Sequence, residues 1–553
     1  MTAIPVDPTP ALLTVAEASG YRRTSYHREV LDFLARLAAR TPHLRLASMG
    51  TSGLGQDLAY VVVSRRGLLT PEAARASGLP IVLVVGNIHA GEVEGKEAAC
   101  MLARDATVGA RASLTDGCVL LLLPDYNPDG NDRIDPAHRA LDLAKLEGQV
   151  GPEFGVGTRY TGAGWNLNRD YTKHDAVESR CLSRLLATWR PHVVVDCHTT
   201  DGSIHGYELT YDTARNLASC PPGPAEFARD VLLPEVTRGL FAKTGFRTWF
   251  YGNFRDSLAP EAGWESYPPL ARYGSHFRGL LGGVDVLLEA YSYVDFETRC
   301  GVTYGILVEL VERVVARGPE IVGMVAKAAA DTVARGAAPA PGDLVGIDYG
   351  VPVRDAEGRL RFRHPGAPLV EHDVEAWDLD SQRVRRVPGR ERRTYRSMFF
   401  GRYEPTVSVQ RPWGYVVPAA CASVLAKVRS HQLAHRTVTA PVTVVVEAYR
   451  VTGREPTASP DVGDRPRTET VFTVRAERAT MALSPGDVVV PTAQPWGNLA
   501  IYLLEPHADD GLARWGHFDD VAVGQPFPVA RLLADPGPLP TEDGSDPTAA
   551  DDR

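Results

Sequence analysis

Residues 81–99 read IVLVVGNIHAGEVEGKEAA, in which a continuous apolar run is followed by a histidine and several glutamates. An apolar run of this length is typical of a strand that is covered on both faces of a sheet. The run stops at Gly86, and we expect a helix to begin near Glu92. His89 and Glu92 are therefore predicted to lie at the carboxyl end of a buried strand, where open α/β sheets bind their ligands.

Three further apolar runs have the same character: CVLLLLP at 118–124, VVVDCH at 193–198 and VDVLLEA at 284–290. They alternate with amphipathic stretches that predict helices at 27–39, 92–105, 178–189 and 304–335. This alternation predicts an α/β fold with a mixed, mainly parallel central sheet flanked by helices.

A chain of 553 residues exceeds what one hydrophobic core usually organises, so we expect two folded domains. The segment ARGAAPAPGD at 334–343 combines Gly and Pro and is typical of a domain junction. We therefore place a first domain at 1–336 and a second, smaller domain at 343–533. The last stretch, 534–553, is polar and rich in Pro and Asp, and we expect it to be a disordered tail.

The second domain is predicted to be β-rich. Thr, Val and Tyr alternate with polar residues there, as in TVTAPVTVVVEAYRV at 437–451, and AIYLLEP at 500–506 is interpreted in the same way. One helix, at about 417–433, interrupts this pattern.

Composition and charge exclude several classes of protein. The net charge of −9 comes from 59 basic and 68 acidic residues, without the basic block that follows phosphates, so nucleic acid is not expected as a partner. Seven cysteines without close pairs argue against a disulfide framework. The sequence has neither a signal-peptide pattern nor an apolar run long enough to span a bilayer, so no membrane partner is expected and the expected location is the cytoplasm.

The spacing H-x-x-E can supply two ligands to a catalytic zinc ion, which takes three protein ligands and keeps one position open. The spacing occurs three times, at His89/Glu92, His205/Glu208 and His372/Glu375. Context favours the first pair, because it follows a buried strand. The third pair lies in the charged second domain, far along the chain from the other candidate groups.

Two more strands end in groups that suit such a centre. Asp196 and His198 are two residues apart and face the same way in a strand, so His198 can reach a metal while Asp196 supports it from behind. Glu289 closes a very apolar strand, where burial would raise its pKa toward the value that a general base needs. Between the predicted strands at 118–124 and 193–198, Asn168 and Arg169 lie among glycines and aromatic residues, and Arg suits bidentate capture of a carboxylate.

The order of the short motifs HAGE, NPDG, NLNR, DCH and LLEAYSY resembles that of the M14 zinc carboxypeptidases, specifically a bacterial subgroup with a C-terminal β-rich extension. The resemblance covers roughly positions 15–315. It implies one zinc ion per chain on His89, Glu92 and His198, with Glu289 as general base. It further implies that Asn168 and Arg169 hold the terminal carboxylate of the substrate, and that Arg159 stabilises the oxyanion, with Arg133 as its weaker competitor.

Two positions depart from the pattern of that family. Asn166 stands where the family often has the Asp that orients a zinc-binding histidine, and a neutral amide makes the ligand less basic. The family's mobile tyrosine is assigned to Tyr273, with Tyr267 and His276 as alternatives. His205 is expected to line the same cleft.

The sequence thus predicts a metallopeptidase that hydrolyses a C-terminal amide bond in a peptide or small amide with a free carboxylate. Two alternatives stay open: a deacylase that acts on an N-acyl amino acid or another non-peptide amide, and a non-catalytic binding protein. A serine hydrolase is poorly supported, because no G-x-S-x-G elbow occurs.

Overall fold

The computed structural model describes residues 12–257, 259–377, 392–457 and 469–544. Its first and largest sheet has eight strands in the order β1-β2-β4-β3-β5-β10-β6-β7. These strands are β1 (Leu44–Thr51), β2 (Asp57–Val63), β3 (Ile81–Gly86), β4 (Val119–Leu123), β5 (Val193–Thr200), β6 (Leu209–Asp212), β7 (Thr248–Phe250) and β10 (Val284–Tyr291).

The central strands β4, β3, β5 and β10 are adjacent and parallel, and they are the four that the apolar runs predict. All residues of β3, β4 and β5 are buried, because helices cover both faces of the sheet. Antiparallel partners flank this parallel centre, so the predicted mixed, mainly parallel α/β fold is confirmed.

The helices follow the predicted positions closely in the first half of the chain. The bounds are α1 (Val15–Ala18), α2 (His27–Ala38), α3 (Pro71–Ala76), α4 (Glu94–Asp105), α5 (Pro128–Asn131), α6 (Val177–Trp189), α7 (Pro224–Phe227), α8 (Leu233–Thr244), α9 (Gly274–Leu280), α10 (Phe296–Ala316), α11 (Gly318–Ala337), α12 (Ala422–Ser430) and α13 (Gly497–Leu504). The long helix expected at 304–335 is two helices, because Gly318 and Pro319 start a new helix after Arg317.

The remaining strands form three further sheets. A nine-stranded sheet contains β12 (Val351–Arg354), β13 (Leu360–Arg363), β17 (Gly414–Val417), β18 (Arg436–Val438), β19 (Val442–Thr457), β20 (Glu469–Leu483), β21 (Val488–Pro491), β22 (Ala530–Leu532) and β23 (Thr541–Asp543). A two-stranded sheet pairs β11 (Leu344–Asp348) with β16 (Val407–Gln410). The fourth sheet has the order β14-β15-β9-β8, with β8 (Asn253–Phe254), β9 (Trp264–Glu265), β14 (Ala367–Trp377) and β15 (Arg392–Arg402).

This fourth sheet joins the two halves of the chain. The strand β15 pairs with β9 through Phe399 and Phe400, which lie opposite Trp264 and Glu265. Buried side chains of both halves also share one hydrophobic cluster around the central sheet, with Phe399 beside Phe250 in it. The second half therefore packs on the first as part of one interior.

Two expectations for the second half differ from the structure. The segment 500–506 is not a strand: residues Gly497–Leu504 form α13, whose eight residues are all buried. A helix buried on every side shows no polar face, so its sequence cannot be told from a buried strand by periodicity. The chain expected to be disordered from 534 onwards is ordered through residue 544, because β23 pairs with β18, and positions 545–553 lie outside the described residues.

None of the helices in the described ranges combines the length and the apolar content needed to cross a bilayer.

Candidate active site

The carboxyl ends of β3, β5 and β10 bring the predicted catalytic residues to one edge of the sheet. His198 on β5 lies directly opposite Glu289 on β10 in the parallel register. His89 and Glu92 lie in the short connection between β3 and α4. The first turn of α4 packs closely on β5 because Gly95 has no side chain: a Cβ atom there would lie 2.3 Å from Cys197 Cβ on β5.

His89, Glu92 and His198 converge on one point. His89 Nδ1 lies 3.1 Å from Glu92 Oε1, and His198 Nδ1 lies 3.0 Å from Glu92 Oε2. Their ligand atoms all lie within 4.8 Å of one another, and the three residues are buried. Ligands at about 2.0–2.1 Å in tetrahedral zinc sites stand about 3.3 Å apart, so this donor set fits a zinc ion.

A polar partner lies behind each histidine. His89 Nε2 lies 3.0 Å from Asn166 Oδ1, in the position where the sequence predicts an amide instead of a carboxylate. His198 Nε2 lies 3.1 Å from Asp196 Oδ1, at ion-pair distance although the angle falls short of a hydrogen bond. Such partners orient metal-binding imidazoles and set their basicity.

Nearby charged side chains shift the pKa values of the groups in this cluster. Burial lowers the pKa of His198, but Asp196 and Glu92 outweigh burial and raise it well above its ordinary value. Burial raises the pKa of Glu92, but His89 and His198 hold it well below its usual range. Burial and the charge of Arg159 lower the pKa of His89 to about 3, which leaves it neutral. His89 is thus in the neutral state that binds a divalent cation, whereas His198 must release its proton when a cation binds.

Glu289 lies beside this cluster and lines the same pocket. Burial is the main cause that raises its pKa to about 8; the charges of Glu92 and Asp196 add to the effect, and His198 opposes it. A carboxylate with its pKa near neutral pH can take up and release a proton during a reaction.

The pocket has a volume of about 390 Å³ and is lined mainly by polar side chains. Besides the metal-site cluster, it contains Asn168, Arg169, Arg159 and Tyr273. The guanidinium of Arg169 lies 4.4 Å from the centre of the Tyr273 ring. Asn168 Oδ1 accepts a hydrogen bond of 2.9 Å from the backbone of Gly274, and Arg159 Nη1 lies 3.2 Å from Glu92 Oε1.

Some predicted or competing residues lie elsewhere. His205 is buried outside the pocket, where its ring packs 4.1 Å from that of Tyr291. Its segment forms a bridge to β14 at Ala376, and this pairing turns the ring into the interior. Arg133 contacts the carbonyl of Gly162 at the surface. His276 is fully buried behind Tyr267, which itself lines the pocket.

Arg139 and Tyr251 are among the pocket residues that sequence reasoning missed. Arg139 Nη1 lies 3.2 Å from Glu92 Oε1, and its Nη2 donates to the carbonyl of Thr199. Arg139 comes from an irregular loop without a recognisable motif, although Gly91 leaves room for it: a Cβ atom on Gly91 would lie 2.8 Å from Arg139 Cδ. No local signal in the sequence points to either residue.

Part of this chain is similar to known carboxypeptidases. Residues 30–208 match the zinc carboxypeptidase family, peptidase M14. Carboxypeptidase 2 of Trichophyton rubrum is 24% identical over 477 residues, which cover 82% of this chain and 76% of that protein. Carboxypeptidase D of Mus musculus is 32% identical over 164 residues, which cover 26% of this chain and 11% of that protein.

Solved structures similar to this chain include a metallo-carboxypeptidase from Burkholderia cenocepacia, at 15% identity and a TM-score of 0.38 over 53% of this chain and 70% of that one. A metallo-carboxypeptidase from Pseudomonas aeruginosa in complex with (2-guanidinoethylmercapto)succinic acid is 16% identical, with a TM-score of 0.37 over 51% of this chain and 68% of that one.

Proposed function

From the premise that residues 30–208 belong to the zinc carboxypeptidase family, and that the chain is a peptidase, we propose that it removes the C-terminal residue of a peptide with one zinc ion per chain. The observation that carries this proposal is the convergence of three metal-ligand side chains, a carboxylate and two guanidinium groups on one pocket. The carboxylate is Glu289, and the guanidinium groups belong to Arg159 and Arg169.

His89, Glu92 and His198 would hold the zinc ion. When bound, zinc supplies Lewis acidity, which acidifies water and polarises a carbonyl group. The carboxylates of Glu92 and Asp196 near this point offset the charge of a divalent cation.

Glu289 is the proposed general base. Its position opposite His198 puts a carboxylate next to the metal-binding cluster, so it can accept a proton from water as the water attacks the scissile carbonyl. The same carboxyl group then delivers that proton to the leaving amine. The raised pKa of Glu289, about 8, suits both directions of this transfer; the positive charge of a bound cation acts to lower it.

Asn168 and Arg169 are the proposed carboxylate-binding pair. Arg169 presents a planar guanidinium against the Tyr273 ring, and such a group binds a carboxylate through two parallel hydrogen bonds. Arg159 is the proposed donor to the oxyanion that develops on the scissile carbonyl. Fixing the carboxylate at one end and the oxyanion at the other places the peptide bond next to Glu289.

Hydrolysis of short N-blocked peptides tests this function. We expect the wild type to release the terminal amino acid from a peptide with a free carboxylate, to act poorly on the matched C-terminal amide, and to lose activity when a chelator removes zinc. Glu289→Gln should lower kcat by roughly 10²–10⁴-fold because the base is lost, while zinc affinity stays close to that of the wild type.

A buried carboxylate outside the pocket provides the matched control. Glu178 on α6 accepts a hydrogen bond from the backbone of Gly53, and Glu178→Gln should leave kcat almost unchanged. Near-normal hydrolysis by Glu289→Gln would remove Glu289 as base. Cleavage of N-acyl amino acids with no release from peptides would favour the deacylase alternative, and a chain that binds no zinc and cleaves neither class would favour a binding protein.

A further inference from the structure

His89 and His198 differ in the group behind each ring. Behind His89 is the neutral amide of Asn166, whereas behind His198 is the carboxylate of Asp196. Neither Asp196 Oδ1 nor His198 Nε2 has another hydrogen-bond partner among the described residues, so each is the available partner of the other. The centre therefore has one ring backed by a neutral group and one backed by a charge.

Arg278 on α9 holds the other oxygen of that carboxylate. Its side chain is 2% exposed, and its Nη2 lies 3.0 Å from Asp196 Oδ2. Arg278 Nε donates to Asp285 on β10, and Nη1 donates to the hydroxyl of Tyr171 at 2.7 Å. Because Nε and Nη2 bind carboxylates on two different strands, the guanidinium is fixed, and Asp196 cannot turn away from His198 without losing its contact with Arg278.

Arg278 has more acidic partners than its own charge requires. A buried guanidinium is costly unless it is paired, and Asp285 alone would neutralise Arg278. The contact with Asp196 adds a second carboxylate, which Arg278 holds beside His198. A purely structural ion pair between Arg278 and Asp285 would not require this contact.

We propose that Arg278 is a positioning residue of the metal centre. It holds the Asp196 carboxylate against His198 and so makes His198 the stronger metal ligand, whereas Asn166 leaves His89 the weaker one. This inference rests on the proposed function, because it requires zinc at His89, Glu92 and His198. Arg278 acts through Asp196 and does not contact the substrate.

Zinc affinity, measured on the full-length chain, is the direct test. The metal is removed by dialysis against a chelator, and the zinc dissociation constant is then determined by competition with a chromophoric chelator. Asp196→Asn should weaken zinc binding about 10–100-fold, the range typical for loss of such a partner. Arg278→Lys should weaken it at least several-fold, because a single ammonium group cannot hold both carboxylates as the planar fork does.

Tyr171→Phe is the matched control, because it removes one contact of Arg278 and leaves both carboxylates in place. Its zinc affinity should stay within about threefold of the wild type. The visible spectrum of the cobalt-substituted protein gives a second readout: it should change for Asp196→Asn and Arg278→Lys, and stay unchanged for Tyr171→Phe.

Wild-type zinc affinity and an unchanged cobalt spectrum in folded Asp196→Asn and Arg278→Lys would overturn the inference and leave a purely structural ion network. If Arg278→Lys does not fold, the double variant Arg278→Gln/Asp285→Asn replaces it. The double variant removes both charges of the buried ion pair and leaves Asp196 without its contact to Arg278. If the wild type hydrolyses peptides with zinc and the variants keep its zinc affinity, only this inference is refuted. If the wild type binds no zinc, the proposed function itself is refuted.

Discussion

Glu505 is a buried glutamate in the second half of the chain, away from the pocket. The hydroxyl groups of Tyr415 and Tyr449 donate to its two oxygens at 2.7 and 2.8 Å. Burial raises its pKa from 4.5 to about 7, although these two hydrogen bonds act in the opposite direction. The folded protein therefore retains a proton on Glu505 at pH values where the unfolded chain has lost it.

This proton predicts a pH dependence of stability. The contribution of Glu505 is complete below about pH 4.5 and is lost as the pH rises toward about 7, because the folded state binds more protons across this window. The loss amounts to about 3 kcal/mol at 1.36 kcal/mol per pKa unit. Urea unfolding at several pH values measures this effect. The free energy of unfolding of Glu505→Gln should rise relative to that of the wild type from about pH 4.5 to about pH 7. Above this window the difference between the two proteins should stay constant.

A difference between Glu505→Gln and the wild type that stays the same at every pH would show that Glu505 has the same pKa in the folded and unfolded chain.

At the scale of elements, the approach of α4 to β5 determines the geometry of the proposed metal ligands. Gly95 allows this approach, because a Cβ atom there would lie 2.3 Å from Cys197 Cβ. Gly95→Ala should lower the free energy of unfolding by about 1–3 kcal/mol through overpacking and should also weaken zinc binding, since α4 follows Glu92 directly. Chemical denaturation and chelator competition measure the two effects.

Gly323 in α11 gives the matched comparison. It is also a helical glycine, but outside its own helical turn no atom of the described residues lies within 4 Å of the position of its missing Cβ. Gly323→Ala should stabilise the protein by up to about 1 kcal/mol through helix propensity. Equal effects of the two substitutions would show that contact with β5 does not matter.

The same elements show how far sequence reasoning reaches. The apolar runs at 81–87 and 193–198 predict β3 and β5 because burial on both faces leaves a continuous signal, and the motifs at the strand ends then predict which side chains meet. The buried helix α13 was misread as a strand because the same continuous signal fits both. Arg139 could not be predicted, because an irregular loop 47 residues beyond Glu92 carries it to the pocket, and only the fold brings them together.

At the scale of the whole molecule, the two halves of the chain share an interior. Phe399 of β15 stacks on Phe250 of β7, with ring centres 5.5 Å apart. The guanidinium of Arg215 lies 5.0 and 5.1 Å from the two ring centres. Aromatic side chains from both halves therefore pack together in one hydrophobic cluster.

We therefore expect both halves to unfold together. Phe399→Ala should lower the free energy of unfolding by about 3–5 kcal/mol, as for other buried aromatic residues. The half-exposed Phe241 on α8 is the control, and Phe241→Ala should have a much smaller effect. Unfolding followed by circular dichroism and by zinc release should show one coincident transition in both variants. Two separate transitions, of which Phe399→Ala shifts only one, would show that the halves unfold independently.

The pairing of β15 with β9 also has a consequence for synthesis on the ribosome. His89, Glu92 and His198 leave the exit tunnel well before residues 392–402, which complete the sheet containing β8 and β9. Chains fold from the amino-terminal end while translation continues, so all the proposed metal ligands are synthesised before the strand that completes the sheet carrying Asn253.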